Sequence, residues 1–216
     1  MQALTWNLYH GRSPKPVGRS LAKEFTAALA GWEWDVALLQ EVPPWWPSQL
    51  ARVLGAQQRM VLTSRNFGLC VRRAVSSRNP DILKANGGGC NAILVRGAIL
   101  EHRTIRLTWR PERRWAHGVR LADGSWVVNV HSSTHVAEHA LRDTLKALAA
   151  AKEWAGGAPL LFGGDINLRG KPELPGMVRL GGNHVDHLYS EGRPAQRVEV
   201  LERGPLSDHP PVRVTL

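Results

Sequence analysis

Polar side chains able to do chemistry stand at the ends of five apolar runs in this chain of 216 residues. The five endings are Thr5-Trp6-Asn7, Leu39-Gln40-Glu41, Asn129-Val130-His131, Gly163-Gly164-Asp165-Ile166-Asn167 and Ser207-Asp208-His209-Pro210. Short apolar runs bounded by turn residues are typical of buried strands. If those strands end at one edge, carboxylates, amides and imidazoles meet in a single polar site. Such a set suits the hydrolysis of a phosphate ester.

The residue types match the requirements of phosphodiester hydrolysis. The anion repels nucleophiles, so an enzyme supplies a cation for the phosphoryl oxygens, a base for water and donors for the developing charge. Glu41, with Asn7 beside it, offers the hard oxygen ligands that Mg²⁺ prefers. Asp165 and Asn167 are two residues apart, so on an extended segment both side chains point the same way. There a carboxylate can orient water while an amide donates to a phosphoryl oxygen.

An imidazole completes the set near the end of the chain. His209 follows Asp208, and histidine changes charge near neutral pH, which suits general acid–base catalysis. Asp186 is a candidate to fix the tautomer of the His209 ring. Taken alone, each of these residues is also explained by a strand cap, a turn or a solvated loop. Their order and their position after apolar runs favour the catalytic interpretation.

The hydropathy pattern alternates strand-like and helical segments. Apolar residues at helical spacing predict helices over 19–31 and 136–154, with a third over 46–54. Strands are predicted at 3–8, 35–40, 60–63, 68–72, 91–95, 99–107, 116–121, 126–131, 159–162, 185–188, 197–201 and 212–216. Residues 86–90 are predicted to form a flexible turn, and Asp123-Gly124 a hairpin turn. We therefore expect one α/β domain over residues 1–216, with mixed sheets packed face to face and helices outside.

Seven short motifs follow one another along nearly the whole chain. They are Trp6-Asn7, Leu39-Gln40-Glu41, GGCNAIL at 88–94, Asn129-Val130-His131, Gly164-Asp165-Ile166-Asn167, Val185-Asp186-His187-Leu188 and Ser207-Asp208-His209. The set resembles the endonuclease/exonuclease/phosphatase superfamily, whose fold is DNase-I-like. The resemblance implies a four-layered α/β/β/α sandwich of two mixed sheets flanked by helices, with the site at one end of the sheets. It also implies dependence on Mg²⁺ or Mn²⁺.

The resemblance implies a set of metal ligands. Carried over by motif, Glu41 is the main ligand, with Asn7 and Asp208 nearby. The chain departs from the family pattern at two positions, since Ile166 stands where Phe is common and His187 where Tyr is frequent. The GDxN and SDH motifs, which are the most specific, are both intact.

The resemblance also implies a catalytic set. Asp165 would orient or activate water, and Asn167 would contact the phosphate. His209, paired with Asp186, would act in acid–base catalysis or in phosphate binding. His131 would be the second active-site histidine, in contact with the phosphate or the leaving group.

The chain carries a formal net charge of +10, and 22 of its 28 basic residues are arginine. Guanidinium groups bind phosphate through two hydrogen bonds, which favours a polyanionic substrate, although coding bias and solubility also explain an arginine excess. The densest stretch contains Arg72-Arg73, Arg103, Arg106, Arg110 and Arg113-Arg114. We predict nucleic acid, DNA or RNA, as the partner, with Arg113 and Arg114 as contacts.

Two aromatic and histidine patterns invite functional interpretations. Trp45 follows Glu41 through a proline pair, so it is predicted to border the site and stack on a base or sugar. Packing at the start of a helix is an equal alternative. Residues 135–139 match a zinc-peptidase pattern, but a pattern this short arises by chance. We expect those residues to be a solvent-facing first helical turn.

The preferred function is a Mg²⁺-dependent phosphodiesterase, and more specifically a nuclease. The alternative is an enzyme of the same fold that acts on a small or lipid phosphoester, such as a sphingomyelin-like lipid or an inositol phosphate. A third hypothesis is a nucleic-acid-binding domain that kept the fold without catalysis. The intact Glu41, GDxN and SDH elements disfavour it.

Composition also bears on location. No apolar run approaches the roughly 20 residues needed to span a bilayer. The N-terminus lacks a basic segment followed by an apolar one, so we expect a cytoplasmic protein unless a leader was removed. Without a secretion signal, Cys70 and Cys90 are expected to be free, partly buried thiols. A disulfide between them is the alternative.

Overall fold

Two six-stranded sheets form the centre of the structure, a computed structural model that describes residues 1–110, 112–192 and 194–216. The strands in these ranges are β1 (Gln2–Asn7), β2 (Val36–Val42), β3 (Gln57–Leu62), β4 (Cys90–Val95), β5 (Ile99–Thr108), β6 (Arg114–Leu121), β7 (Trp126–His131), β8 (Leu160–Asp165), β9 (Val178–Asn183), β10 (Asp186–Ser190), β11 (Arg197–Val200) and β12 (Val212–Thr215). The first sheet has the order β11-β12-β1-β2-β4-β3, and the second β5-β6-β7-β8-β10-β9. Both sheets are mixed, because β1–β2 and β7–β8 are parallel pairs among antiparallel ones.

Helices flank and connect the sheets. In the described ranges they are α1 (Ala22–Gly31), α2 (Trp46–Leu54), α3 (Leu69–Arg78), α4 (Pro80–Leu83) and α5 (Ala137–Ala155), with 3₁₀ turns at Tyr9–Gly11 and Lys84–Gly87. α2 has a proline in its first turn, and α2 and α5 end at the left-handed residues Gly55 and Gly156. None of these helices is both long and apolar enough to cross a bilayer.

The layers stack in the order helix, sheet, sheet, helix. Outside the first sheet, the ring of Phe25 in α1 lies 5.0 Å from that of Trp6 and 5.5 Å from that of Trp46 in α2. Outside the second sheet, α5 covers Phe162 and Trp126. The cluster between the sheets contains Ala3, Val36, Leu38, Ile93, Val119, Val127, Leu161, Leu180, Leu188 and Val214. Successive side chains of a strand point to opposite faces, so each strand supplies two layers. The predicted four-layered α/β/β/α sandwich is confirmed.

Two local predictions are wrong. The segment predicted as a strand at 68–72 begins helix α3, because Gly68 is left-handed (φ 63°) and the next apolar side chains, such as Val71, face solvent. The turn predicted at 86–90 is partly helical, and Cys90 already belongs to β4. Strand β9 was not predicted, because its two central glycines break the apolar pattern. Both cysteines are free; Cys90 is buried, whereas Cys70 is exposed rather than partly buried.

The strand register brings the polar endings to one edge of the sandwich. Asn7 pairs with Gln40 across the parallel strands β1 and β2. His131 pairs with Asp165 across β7 and β8, and Asp165 pairs with Asp186 across β8 and β10. β12 runs antiparallel to β1, so the segment that precedes β12 arrives at the same edge.

A buried polar bridge joins the two sheets beneath that edge. Gln40 Nε2 donates to Asn129 Oδ1 at 2.7 Å. Asn129 Nδ2 in turn lies 2.9 Å from the carbonyl oxygen of Leu39 and 3.0 Å from that of Ala92. Both amide side chains are fully buried, so these bonds form without competition from solvent. They fix the position of one sheet relative to the other.

Replacing Asn129 should therefore destabilise the fold strongly. In Asn129→Ala the Gln40 amide and two main-chain carbonyls lose a buried partner. We expect the free energy of unfolding to fall by about 3 kcal/mol, as measured by urea denaturation followed by tryptophan fluorescence. The exposed Asn86→Ala variant is the control. Equal stability of the two variants would contradict the bridging role.

Candidate active site

Glu41 projects into the shared edge because β2 bulges before it ends. The register of β2 against β4 shifts between Leu39 and Val42, and Glu41 has a left-handed φ of 51°. A positive φ outside glycine is strained and persists only where the surroundings enforce it. The Glu41 side chain is 21% exposed and lines a cavity of about 180 Å³. Other residues around this cavity are His10, Arg65, Arg113, Arg114 and His131.

Hydrogen bonds orient both oxygens of the buried Asp165 carboxylate. Asn7 Nδ2 donates to Oδ2 at 2.9 Å, and the main-chain N–H of Asn167 donates to Oδ1 at 3.1 Å. Asn167 has a positive φ of 53°, and its side chain donates to the Ser132 carbonyl at 3.0 Å. Gly164 precedes the aspartate because a Cβ there would lie 2.2 Å from the Val130 carbonyl oxygen. The GDxN motif thus requires its glycine for close packing and its asparagine for a turn.

The serine of the SDH motif joins the two ends of the chain. Ser207 Oγ donates to the carbonyl of Asn7 at 2.7 Å and accepts from the main-chain N–H of His209 at 3.0 Å. Trp6 Nε1 also donates to the His209 carbonyl at 2.9 Å. These contacts place the imidazole beside Asp186, where Nδ1 lies 2.7 Å from Oδ2. The predicted pairing of His209 with Asp186 is present in the structure.

The two buried aspartates have altered affinities for protons. Burial raises the pKa of Asp165 to about 7, and the charges of Asp186 and Glu41 contribute to the rise. Burial also raises the pKa of Asp186, although its hydrogen bond to His209 opposes the change. A carboxyl that ionises near neutral pH is suited to accept a proton from water.

The two histidines at the site are held in opposite charge states. Burial alone would lower the pKa of His209, but the hydrogen bond and charge of Asp186 outweigh it and raise the pKa to about 10. Burial lowers the pKa of His131 well below its ordinary value, and Arg114 adds to that effect. Arg114 Nη1 lies 2.7 Å from His131 Nε2, and a guanidinium can only donate, so Nε2 accepts. His209 is thus a cation and His131 a neutral ring.

Arg114 is part of a chain of charges along one wall of the cavity. Its other amino group pairs with Glu112, which also pairs with Arg65 at 2.5 Å. Arg113 lines the same cavity, and its guanidinium lies 5.4 Å from the exposed ring of Trp109. Both predicted substrate contacts are therefore brought to the site. Arg114 is buried, which the sequence gave no reason to expect.

Two other predicted site residues lie further from the cavity. Asp208 is 44% exposed, and its carboxylate lies 3.8 Å from His209 Nε2. Trp45 lines a separate small cavity behind His10 and packs against the core around Trp46, as expected for the start of a helix. Its predicted position at the border of the site has no support in these contacts.

His10 is a site residue that the sequence analysis overlooked. Its Nε2 atom lies 3.1 Å from Glu41 Oε2. It lies three residues beyond the Trp6-Asn7 ending and belongs to none of the motifs that the sequence offered. A histidine just beyond a strand that supplies a site residue is the signal that could have identified it.

The carboxylates at this edge fit a divalent cation. Asp165 and Asp186 offer carboxylate oxygens within 4.8 Å of each other and of a ring nitrogen of His209, which cannot be a ligand while the imidazole is protonated. Among the described residues, Asp186 Oδ1 is buried and has no hydrogen-bond partner. Mutual repulsion among Asp165, Asp186 and Glu41 helps to raise the pKa of Asp165, and a nearby cation would relieve it. Glu41, on the wall of the open cavity, is the carboxylate most accessible to a metal and a substrate together.

Comparison with models of protein families assigns this chain to a known family. The model of the endonuclease/exonuclease/phosphatase family matches residues 4–209, nearly the whole chain. The chain belongs to this family, whose members are in general phosphoester hydrolases. A search of curated protein sequences gives no match.

Solved structures of distant relatives share the fold. An endonuclease/exonuclease/phosphatase from Beutenbergia cavernae superimposes with a TM-score of 0.75 at 17% identity, over 99% of this chain and 70% of its own. TDP2 from Caenorhabditis elegans superimposes with a TM-score of 0.66 at 18% identity, over 99% of this chain and 73% of its own. A mannosyl-6-phosphatase from Bacteroides thetaiotaomicron superimposes with a TM-score of 0.68 at 15% identity, over 99% of this chain and 98% of its own. Likeness at these identities establishes the fold.

Replacing Asp186 should lower the pKa of His209. In Asp186→Asn the ring keeps a neutral neighbour of the same shape but loses its counter-charge. We expect its NMR titration midpoint to fall from about 10 towards the ordinary 6.5. Glu153→Gln, on the exposed face of α5, should leave the midpoint unchanged.

The same pair makes stability depend on pH. The pKa of His209 is higher in the folded than in the unfolded chain. Protonation of His209 therefore contributes fully to the free energy of unfolding below pH 6.5, and this contribution is lost as pH rises through about 10. The difference in unfolding free energy between wild type and Asp186→Asn should shrink over that range. A pH-independent difference would contradict the ion pair.

Proposed function

We propose that this protein is a divalent-metal-dependent phosphodiesterase, using Mg²⁺ or Mn²⁺, and that its substrate is a nucleic acid. The observation that carries the proposal is the meeting of a proton-accepting carboxylate with a cationic imidazole at one edge. Hydrogen bonds orient both oxygens of Asp165, and Asp186 Oδ2 lies 2.7 Å from His209 Nδ1, a counter-charge that keeps the imidazole protonated. Hydrolysis of a phosphate ester needs both groups.

The residues that would hold the metal are Glu41, Asn7 and Asp208. Glu41 provides the accessible carboxylate. Asn7 uses its amide nitrogen on Asp165, while its Oδ1 accepts from the Tyr9 N–H at 2.9 Å and keeps a second lone pair. Asp208 is 44% exposed, and its carboxylate lies 3.8 Å from His209 Nε2 at the same edge. A bound divalent ion would polarise the phosphoryl oxygens.

The remaining residues supply the proton chemistry and the charge stabilisation. Asp165 orients a water and accepts its proton as the water attacks phosphorus, the P–O bond to the leaving group breaks, and the leaving alkoxide takes up a proton from solvent. His209 donates a charge-assisted hydrogen bond to a phosphoryl oxygen, where negative charge develops. His131 lines the cavity with its Nε2 held by Arg114 and 4.0 Å from Glu41 Oε1, where the ring contacts the phosphate or the leaving group. Asn167 contacts the phosphate beside them.

Charge and exposed aromatic surface favour a nucleic acid as the substrate. The net charge is +10. Arg113 lines the cavity and lies beside Trp109, whose side chain is 54% exposed. Cationic groups interleaved with an aromatic ring suit a phosphate backbone with accessible bases. The second candidate is a small phosphoester. The cavity of about 180 Å³ beside Glu41 favours it, and one structural relative is a mannosyl-6-phosphatase.

Loss of the metal ligand or of the imidazole should abolish hydrolysis. We expect Glu41→Gln and His209→Ala each to lower the rate at least about 100-fold. Glu41→Gln should unfold close to wild type, whereas His209→Ala should also lose the stability contributed by its pair with Asp186. The assay panel comprises plasmid DNA, single-stranded DNA, RNA, bis-p-nitrophenyl phosphate and sphingomyelin, with Mg²⁺, Mn²⁺ or chelator. Glu153→Gln and His139→Ala, both on exposed positions of α5, serve as matched controls. Undiminished hydrolysis in both site variants would refute the proposal.

Salt dependence should distinguish the two substrate classes. Cleavage of a nucleic acid weakens steeply with salt, because binding releases counterions. Arg113→Gln should reduce the slope of log(kcat/KM) against log[salt] by about one, whereas the exposed Arg52→Gln on α2 should not. A flat dependence, with turnover only on small phosphoesters, would transfer the proposal to the second candidate.

A further inference from the structure

His10 contacts the metal-binding carboxylate at the wall of the same cavity. Its Nε2 atom lies 3.1 Å from Glu41 Oε2, and its side chain is 11% exposed. We propose that His10 is a nitrogen ligand of the divalent ion bound by Glu41, so that the site prefers a first-row transition ion such as Mn²⁺ to Mg²⁺. This inference rests on the proposed metal-dependent function and concerns the same site.

Hydrogen bonding of the His10 ring determines which atom faces the carboxylate. Nδ1 lies 3.2 Å from the carbonyl oxygen of Gly88, which can only accept, so Nδ1 carries a hydrogen. Nε2 is therefore the ring atom that faces Glu41 Oε2. A contact of this length is made through a proton on Nε2 or through a cation bound by both atoms, and a divalent ion on Glu41 would replace that proton and take the Nε2 lone pair. Metal-bound histidines usually donate their other N–H to a carbonyl or carboxylate in this way.

Strained backbone holds the ring in this position. Tyr9 and His10 have positive φ values of 48° and 55°, and Gly11 follows at 74°. The turn is held by Tyr9 N–H, which donates to Asn7 Oδ1 at 2.9 Å, and by Gly11 N–H, which donates to the Leu8 carbonyl at 2.8 Å. Consecutive left-handed residues other than glycine are uncommon, and such strain concentrates at functional sites.

Glycines allow the surrounding chain to approach the strained turn. A Cβ at Gly89 would lie 3.3 Å from His10 Cε1, and one at Gly11 would lie 2.5 Å from the Trp46 ring. The side of the ring that faces away from Glu41 thus packs against main chain. The imidazole is preorganised to point its Nε2 at Glu41, as a metal ligand should be.

His131 does not offer an equivalent nitrogen. Its Nε2 atom lies 4.0 Å from Glu41 Oε1, but the same atom already accepts a hydrogen bond from Arg114 at 2.7 Å. The lone pair of His131 is therefore occupied, whereas that of His10 faces Glu41. Imidazole suits transition ions, while Mg²⁺ favours ligand sets made of oxygen alone. One histidine beside Glu41 is thus expected to shift the metal preference.

Pulsed electron paramagnetic resonance of Mn²⁺ tests this proposal without substrate or turnover. Metal-free full-length protein is loaded with Mn²⁺, and coupling to a ¹⁴N nucleus is recorded. Wild type should show coupling to one imidazole nitrogen, which changes to ¹⁵N coupling when the protein carries ¹⁵N-histidine. His10→Asn should lose the coupling, since asparagine tolerates a positive φ and preserves the turn. His131→Asn and the exposed His139→Asn should retain it.

Calorimetric titration gives a second readout. His10→Asn should weaken Mn²⁺ binding about tenfold or more and Mg²⁺ binding much less. No nitrogen coupling in wild type, with Mn²⁺ binding that Glu41→Gln abolishes, would overturn the role of His10 and leave the proposed function intact. Coupling that survives in His10→Asn would also overturn it. Mn²⁺ binding that is insensitive to Glu41→Gln would overturn both proposals.

Discussion

The amide bridge between Gln40 and Asn129 is the interaction on which the geometry of the site depends. Asn7 and Glu41 belong to one sheet, whereas His131, Asp165 and Asp186 belong to the other. Apolar packing between the sheets is non-directional and tolerates sliding. A pair of buried amides that also bind main-chain carbonyls does not, because displacement leaves polar groups unsatisfied. A second link, from Asn7 to Asp165, crosses the same gap within the site itself.

Burial of charge is the second constraint on this edge of the sandwich. Carboxylates crowded away from water raise one another's pKa, and under the proposed function the fold bears that cost at the carboxylate that would act as the base. The cationic His209 and the Arg114–Glu112–Arg65 chain supply the balancing charge on two sides. Neutral His131 stands between Arg114 and Asp165, at 3.6 Å from the carboxylate. The site therefore holds acids, a base and a cation in fixed positions that a solvated loop could not maintain.

Much of this arrangement could be predicted from the sequence. The apolar runs that end in Asn7, Glu41, His131 and Asp165 are strands. Within each sheet the two strands end at the same edge, because β1 is parallel to β2 and β7 is parallel to β8. The family motifs then indicated the pairing of Asp186 with His209. These are features of local composition and of order along the chain, and both are visible without coordinates.

What the sequence did not reveal depends on tertiary contacts. His10 belongs to none of the sequence motifs, because its contact with the site depends on a left-handed backbone and on a carboxylate 31 positions away. Residues 68–72 contain three apolar residues and suggested a strand, although their helix exposes them. Trp45 followed Glu41 closely in sequence, yet the bulge at Glu41 directs the two side chains into different cavities. In each case backbone direction, rather than residue type, decided the outcome.

The position of β1 also governs when the protein can work. Among the described strands β1 comes first along the chain, but it lies inside its sheet between β2 and β12. One edge of β1 therefore stays unpaired until residues 212–215 have been translated, and an uncovered strand edge is prone to mispairing. His209 immediately precedes the segment that covers this edge. The polar edge of the sandwich can thus assemble only after almost all of the described residues have been synthesised.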